Sequence, residues 1–150
     1  RYHPEDIVSH SQQRLTAKAV QQASQILENV EIGTHVVGID EAQFFGPDLL
    51  AICESLADRG VRILVAGLDQ NYMGEPFEPI PSLLAVAESI TKLQAVCMRC
   101  GSPATRSQRL TVEAEQVVVG SEDVYEARCR LCFDHNIEKL RATQKLAVNG

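Results

Sequence analysis

His35-Val36-Val37-Gly38-Ile39-Asp40-Glu41 is a short apolar run that stops on two adjacent carboxylates. Open α/β sheets bind their ligands at the carboxyl ends of strands, so this ending reads as the acidic end of a nucleotide-phosphate site. One carboxylate there can hold Mg²⁺, directly or through water, and its neighbour can take a proton from an attacking hydroxyl. Asp40 and Glu41 are consecutive, so their side chains start on opposite faces of the strand. The strand end must therefore bend if both are to serve one phosphate. A bare Asp-Glu pair also fits a solvated turn before Phe44-Phe45, and the rest of the chain decides between the two readings.

Working outward, Gly46-Pro47-Asp48 opens a helix with proline near its first turn, and Gly60 closes it. Residues 61–68 form a second, nearly continuous apolar strand of the kind buried on both faces. A Gly/Pro-rich stretch at 69–81 follows without periodicity, then a short helix over 82–90 and a strand over 93–97. Upstream, residues 6–10 and 14–20 carry short β-like patterns around Ser11-Gln12-Gln13. Val20, Ala23, Ile26, Leu27 and Val30 recur at helical spacing. The alternation of strand and helix predicts an α/β fold, a parallel sheet with covering helices. Residues 134–146 read as a C-terminal helix with Ile137 and Leu140 on one face.

Cysteine spacing is the second strong signal. Cys97-Met98-Arg99-Cys100 and Cys129-Arg130-Leu131-Cys132 are two CxxC turns, and each presents two thiolates. Two such turns complete a tetrahedral Cys₄ zinc site. The spacer, 101–128, is longer than in a short zinc ribbon and has room for a small β lobe. Two disulfides or a thioredoxin-like redox pair are the other readings of the same spacing. Cys53 lies with Leu49, Ile52 and Leu56 at helical spacing and reads as a buried structural thiol. A zinc site beside a free buried thiol suggests a reducing compartment. His3, His10, His35 and His135 form no pattern, although His135 lies close enough to the second turn to stand in as a ligand.

With 150 residues, 45% of them hydrophobic, the chain is near the size of one domain and can bury a sizeable core. No apolar run approaches a membrane span, and no signal-peptide pattern opens the chain. The net charge of −6 argues against a duplex nucleic-acid binder, which would show a basic face, but leaves a small nucleotide open.

Taken together, several motifs resemble the thymidine kinases of the zinc-containing type found in bacteria and animal cytosol. They are Asp40-Glu41-Ala42-Gln43-Phe44-Phe45, Gly67-Leu68-Asp69, Gly74-Glu75-Pro76-Phe77, Leu84-Ala85-Val86-Ala87-Glu88-Ser89 and Thr91-Lys92-Leu93-Gln94-Ala95-Val96-Cys97. The likeness continues through 105–110 and 125–132, in order and with compatible spacing. It implies a P-loop, RecA-like parallel sheet with covering helices over residues 1–96, a zinc-ribbon or lasso β lobe over 97–132, and a C-terminal helix over 133–150. It also implies transfer of the ATP γ-phosphate to the 5′-hydroxyl of thymidine, with deoxyuridine a further substrate, in a cytoplasmic homotetramer that uses structural Zn²⁺ and Mg²⁺ with ATP.

The resemblance also carries roles, residue by residue. Glu41 matches the catalytic base, and phosphoryl transfer is mostly positioning plus electrostatics, with one carboxylate orienting the nucleophile. Asp40 matches the acidic residue of a Walker-B-like strand that helps hold Mg²⁺. Phe44 matches a residue that packs on the thymine, where plain core is the other reading. Leu68, Tyr72 and Phe77 match positions around the base, and Tyr72 stands where many members carry Phe. Residues 102–125 resemble a lasso that closes over the nucleoside. Within it, Gln116, Val118 and Gly120 match positions whose backbone groups hydrogen-bond the base, and Tyr125 matches a tyrosine at the sugar end. Ser107 matches a position often held by Thr near the thymine methyl group. Arg109 reads as a phosphate-binding or loop-ordering cation, or as one half of a surface ion pair. Cys97, Cys100, Cys129 and Cys132 match the zinc ligands.

One departure stands out. The family carries a Gly-rich P-loop ending in Gly-Lys-Ser or Gly-Lys-Thr, whose backbone N–H groups and Lys cradle the triphosphate. This sequence has none. Arg1-Tyr2-His3-Pro4 reads as a loop in mid-domain, so the expectation is that the P-loop lies upstream of Arg1. Two other classes stay open on sequence alone: a different P-loop phosphotransferase or ATPase, and a non-catalytic zinc-ribbon binding module. The lasso-like segment counts against the first. The acidic Glu113, Glu115, Glu122, Asp123 and Glu126 count against the second.

Overall fold

The computed structural model describes residues 6–8, 14–110 and 125–135. The chain divides into two compact units, 1–67 and 68–150.

In the first unit, β1 (Asp6–Val8) and β2 (Arg14–Thr16) form an antiparallel pair. Helix α1 (Ser24–Asn29), strand β3 (Val36–Ile39), a 3₁₀ turn (Ala42–Phe44), helix α2 (Asp48–Asp58) and strand β4 (Arg62–Val65) follow. Strands β3 and β4 pair in parallel, with Val36 opposite Arg62 and Ile39 opposite Val65. Helix α2 is the crossover between them, as parallel pairing requires, and it packs on α1 and β4. Leu49, Ile52, Cys53 and Leu56 recur at helical spacing and are all buried, Leu49 and Leu56 completely. They meet Ile26, Ile39, Ala42 and Val61 in the core.

Both ends of α2 follow from local chemistry. Pro47 precedes its first residue, and its fixed φ suits a helix start. At the other end Gly60 takes φ +83°. Its N–H donates to the Ala57 carbonyl (2.8 Å) and the Val61 N–H donates to the Leu56 carbonyl (3.1 Å). These two bonds form a Schellman cap, which a left-handed residue at this position makes possible.

The second unit opens with an irregular stretch and helix α3 (Ile80–Val86). Four short strands then surround the cysteines. Strand β5 (Ala95–Val96) pairs antiparallel with β6 (Pro103–Ala104), and β7 (Arg106–Arg109) pairs antiparallel with β8 (Tyr125–Arg128).

Two expectations change. The strand expected over 93–97 as part of the parallel sheet is the two-residue β5, paired antiparallel within the cysteine lobe. The reason is covalent proximity: the Cys97 N–H donates to the Ser102 carbonyl (2.8 Å), so the chain reverses at the first cysteine pair and pairs with itself. Strand β4 was expected to be buried on both faces, yet Leu64 and Val65 are exposed, as is Val36 on β3. Among the described residues every sheet has two strands, so neither β3 nor β4 is flanked on both sides. The mixed α/β content and the parallel β3–β4 pair are present, and the larger P-loop sheet is not seen among the described residues. The helix expected over 134–146 lies outside the described residues beyond position 135.

Candidate functional site

In the first unit the chemistry gathers where β3 ends. Ile39 is the last strand residue and Asp40 follows it, exposed. Glu41 then turns the chain with φ 53° and ψ 38°, the sole non-glycine residue of positive φ among those described. Left-handed backbone at a side-chain-bearing residue is costly, and it clusters where surrounding structure enforces it for function. The Asp40 Oδ1 accepts the Glu41 N–H at 2.9 Å, which stabilises the bend. The Ala42 N–H donates to the Ala66 carbonyl (3.0 Å) and the Ala66 N–H to the Ile39 carbonyl (2.8 Å), which fastens the turn to the end of β4. The bend that the adjacent carboxylates require is therefore present.

Gln43, which the sequence reading left without a role, is buried at 3% exposure and donates from Nε2 to Glu41 Oε2 at 2.5 Å. The carboxylate is thus aimed by a buried amide two residues on. Phe44, on the same turn, is half exposed.

In the second unit the four cysteine sulfurs lie within 4.8 Å of one another, and Cys100 Sγ is 3.6 Å from Cys129 Sγ. A tetrahedron with Zn–S of ~2.3 Å has edges of about 3.8 Å, so the donor set fits zinc. All five cysteines are free thiols, which removes the two-disulfide reading. Backbone geometry holds the turns: the Gly101 N–H donates to the Cys97 carbonyl (2.9 Å), and the Cys132 and Phe133 N–H groups donate to the Cys129 carbonyl (3.1 and 3.0 Å). The Cys97 thiol is lowered to about 6, chiefly by the backbone N–H of Cys129. Cys100 is lowered by hydrogen bonds from the Ser102 side chain and backbone. Cys132 is pushed up to about 12, chiefly by its contacts with Cys129 and Cys100. Cys97 and Cys129 are buried, Cys132 is half-buried and Cys100 is exposed; four thiolates this close need a cation to offset their charge, so the cluster could hold a metal ion. Cys53 belongs to α2 of the first unit, where burial raises its thiol.

Of the residues matched to the nucleoside, Leu68, Tyr72 and Phe77 lie in or beside one tight turn, and Ser107 and Tyr125 lie on the β7–β8 pair. Asn71 organises the turn: its Oδ1 accepts the Met73 and Glu75 N–H groups (2.9 and 3.1 Å), and its carbonyl accepts the Gly74 N–H (2.9 Å). The Phe77 N–H donates to the Asp69 carbonyl (3.1 Å), and Lys92 pairs with Asp69 at 2.6 Å. Tyr72 and Phe77 are half-buried on this turn, while Leu68 is exposed. Arg109 sits over the Tyr72 ring, 5.4 Å from its centroid, so this residue stacks on an aromatic of the turn. In the β7–β8 register Ser107 lies opposite Ala127 and Tyr125 opposite Arg109. Gln116, Val118 and Gly120 lie outside the described residues.

The sequence model of the family described as "Thymidine kinase" matches residues 1–133. A protein named thymidine kinase from Rhodothermus sp. (strain ITI 518) is 53% identical over 133 residues, 89% of this chain and 62% of that relative. A second protein of that name, from Bdellovibrio bacteriovorus, is 47% identical over 138 residues, 92% of this chain and 68% of that relative. The chain thus spans somewhat under two thirds of the first relative's length and slightly over two thirds of the second's.

Proposed function

The chain belongs to the thymidine kinase family, and from that premise we propose that it transfers the γ-phosphate of ATP to the 5′-hydroxyl of thymidine, with deoxyuridine as a further acceptor. The observation that carries this reading is the Asp40-Glu41 pair on a left-handed turn at the end of β3, with the Glu41 carboxylate aimed by Gln43.

In the proposed reaction the 5′-oxygen of the nucleoside forms a bond to the γ-phosphorus as the bond to ADP breaks. The hydroxyl proton passes to the Glu41 carboxylate, which must therefore be ionised beforehand. Gln43 keeps one carboxylate oxygen engaged and so orients the other. Asp40 is the proposed residue for the Mg²⁺ that accompanies ATP; an exposed carboxylate at a strand end is a fitting hard-oxygen donor for it. When bound, that ion neutralises charge on the phosphates.

Phe44, Leu68, Tyr72 and Phe77 are proposed as apolar contacts of the base, Ser107 as a neighbour of its methyl group, and Tyr125 as a contact of the sugar. The backbone of Gln116, Val118 and Gly120 is proposed to hydrogen-bond the base. Cys97, Cys100, Cys129 and Cys132 are proposed to hold one structural zinc, closed to water because four protein ligands fill it. The proposal extends to a P-loop, RecA-like sheet in the whole protein, to the divisions 1–96, 97–132 and 133–150, to a homotetramer, and to a cytoplasmic location. Free thiols support the last. Among the described residues no helix is long and apolar enough to cross a membrane.

The test is Glu41→Gln, which keeps the shape of the side chain and removes the base. We expect kcat to fall about 10²–10⁴-fold with thymidine binding preserved, since a base acts mainly in the transition state. A near-parental kcat at saturating thymidine would remove Glu41 from the mechanism.

A further inference from the structure

Arg106 opens β7 and is buried, with 7% exposure, although it is a cation. Its Nε and Nη1 have no hydrogen-bond partner among the described residues. Two buried guanidinium nitrogens without acceptors are costly, so the surroundings must compensate through other contacts. Two are present. The guanidinium carbon lies 5.2 Å from the centroid of the Phe133 ring, a cation–π stack. On the other side the group lies against Gly74: a Cβ built there would meet Arg106 Nη1, which would have to shift, and would lie 3.8 Å from the Phe133 ring. Gly74 also has φ +77°, so glycine is favoured at this position by conformation, and its bare Cα lets the guanidinium approach.

These contacts form a chain. Phe133 directly follows Cys132, and its N–H is bonded to the Cys129 carbonyl, so its ring is placed by the second cysteine pair. Gly74 is bonded to Asn71 in the turn that carries Tyr72. We propose that Arg106 is a positioning residue, a strut that transmits the geometry of the cysteine centre through Phe133 to Gly74 and so fixes the turn presenting Tyr72 and Phe77. Arginine suits this place because its flat guanidinium covers an aromatic face and a bare backbone at once, which lysine or an aliphatic chain does not. The strut rests on the proposed function only in what the turn is for, namely contact with the nucleoside base.

The test uses the full-length protein, with Arg106→Leu and Arg106→Lys as variants. Three quantities are read: zinc content, hydrogen exchange of the peptide over 69–77, and the thymidine KM and kcat. With zinc retained, we expect exchange over 69–77 to speed up about tenfold in Arg106→Leu. Zinc removal by a chelator should speed the same peptide in the parent and add little in the variant. Thymidine KM should rise about tenfold with kcat within about threefold. If Arg106→Leu loses zinc, Arg106→Lys carries the same reading, because it keeps the charge and loses the plane. Parental exchange over 69–77 in a zinc-loaded variant overturns the strut. Faster exchange with an unchanged KM upholds the strut and counts instead against the assignment of this turn to the base.

Discussion

Glu41 bears a left-handed backbone that costs about 1–2 kcal/mol and that glycine would adopt freely. Keeping a glutamate there is explained if its carboxylate is needed at that point in space, and Gln43 is the residue that holds it. A hydrogen bond to a charged group is worth about 1.5–3 kcal/mol. Gln43→Leu should therefore lower kcat by roughly ten- to a hundredfold and leave thymidine KM close to parental. Steady-state kinetics showing an unchanged kcat would leave Gln43 as packing only. The cysteines give a pH prediction. Zinc needs four thiolates, and Cys132, pushed up to about 12, must surrender its proton on binding. Uptake of zinc should release protons, so apparent affinity should rise with pH; competition with a chelator should find weaker binding at pH 6 than at pH 8. Affinity independent of pH would contradict a Cys₄ thiolate site. The acidic pair and both cysteine turns were legible in the sequence because each is a local pattern. Gln43 and Arg106 were not, because their roles depend on which backbone passes beside them, a property of the folded turn rather than of spacing.

Elements bounded by their own punctuation were read well. Pro47 and Gly60 bracket α2, and the structure places them at its start and just past its end. Gly60→Ala forces a Cβ into φ +83° and should cost about 1 kcal/mol. Urea denaturation should give a lower midpoint at unchanged slope; a parental midpoint would mean that the chain relaxes around the cap. Pairing was less legible. The apolar residues 93–97 look the same whether a strand joins a central sheet or turns back on itself, and the bond from Cys97 to Ser102 decides for the hairpin. Continuous apolar character in β4 likewise carries no information on which neighbours flank it, and Leu64 and Val65 stand exposed beside a single partner strand. The β7–β8 pair sets Arg109 opposite Tyr125, a pairing that no local pattern of the sequence announced.

For the whole molecule, a net charge of −6 argues against a polyanion spread over a basic face and leaves open the proposed pair of substrates, anionic ATP and a neutral nucleoside, met at local sites. The central claim is that thymidine is the phosphoryl acceptor. Its most direct test offers the full-length protein ATP, Mg²⁺ and an equimolar mixture of thymidine and deoxyadenosine, and follows the nucleoside monophosphates formed. The account predicts accumulation of thymidine 5′-monophosphate, with ADP in equal amount and little deoxyadenosine monophosphate. ATP hydrolysis without nucleoside phosphorylation, or equal phosphorylation of the purine, would contradict it.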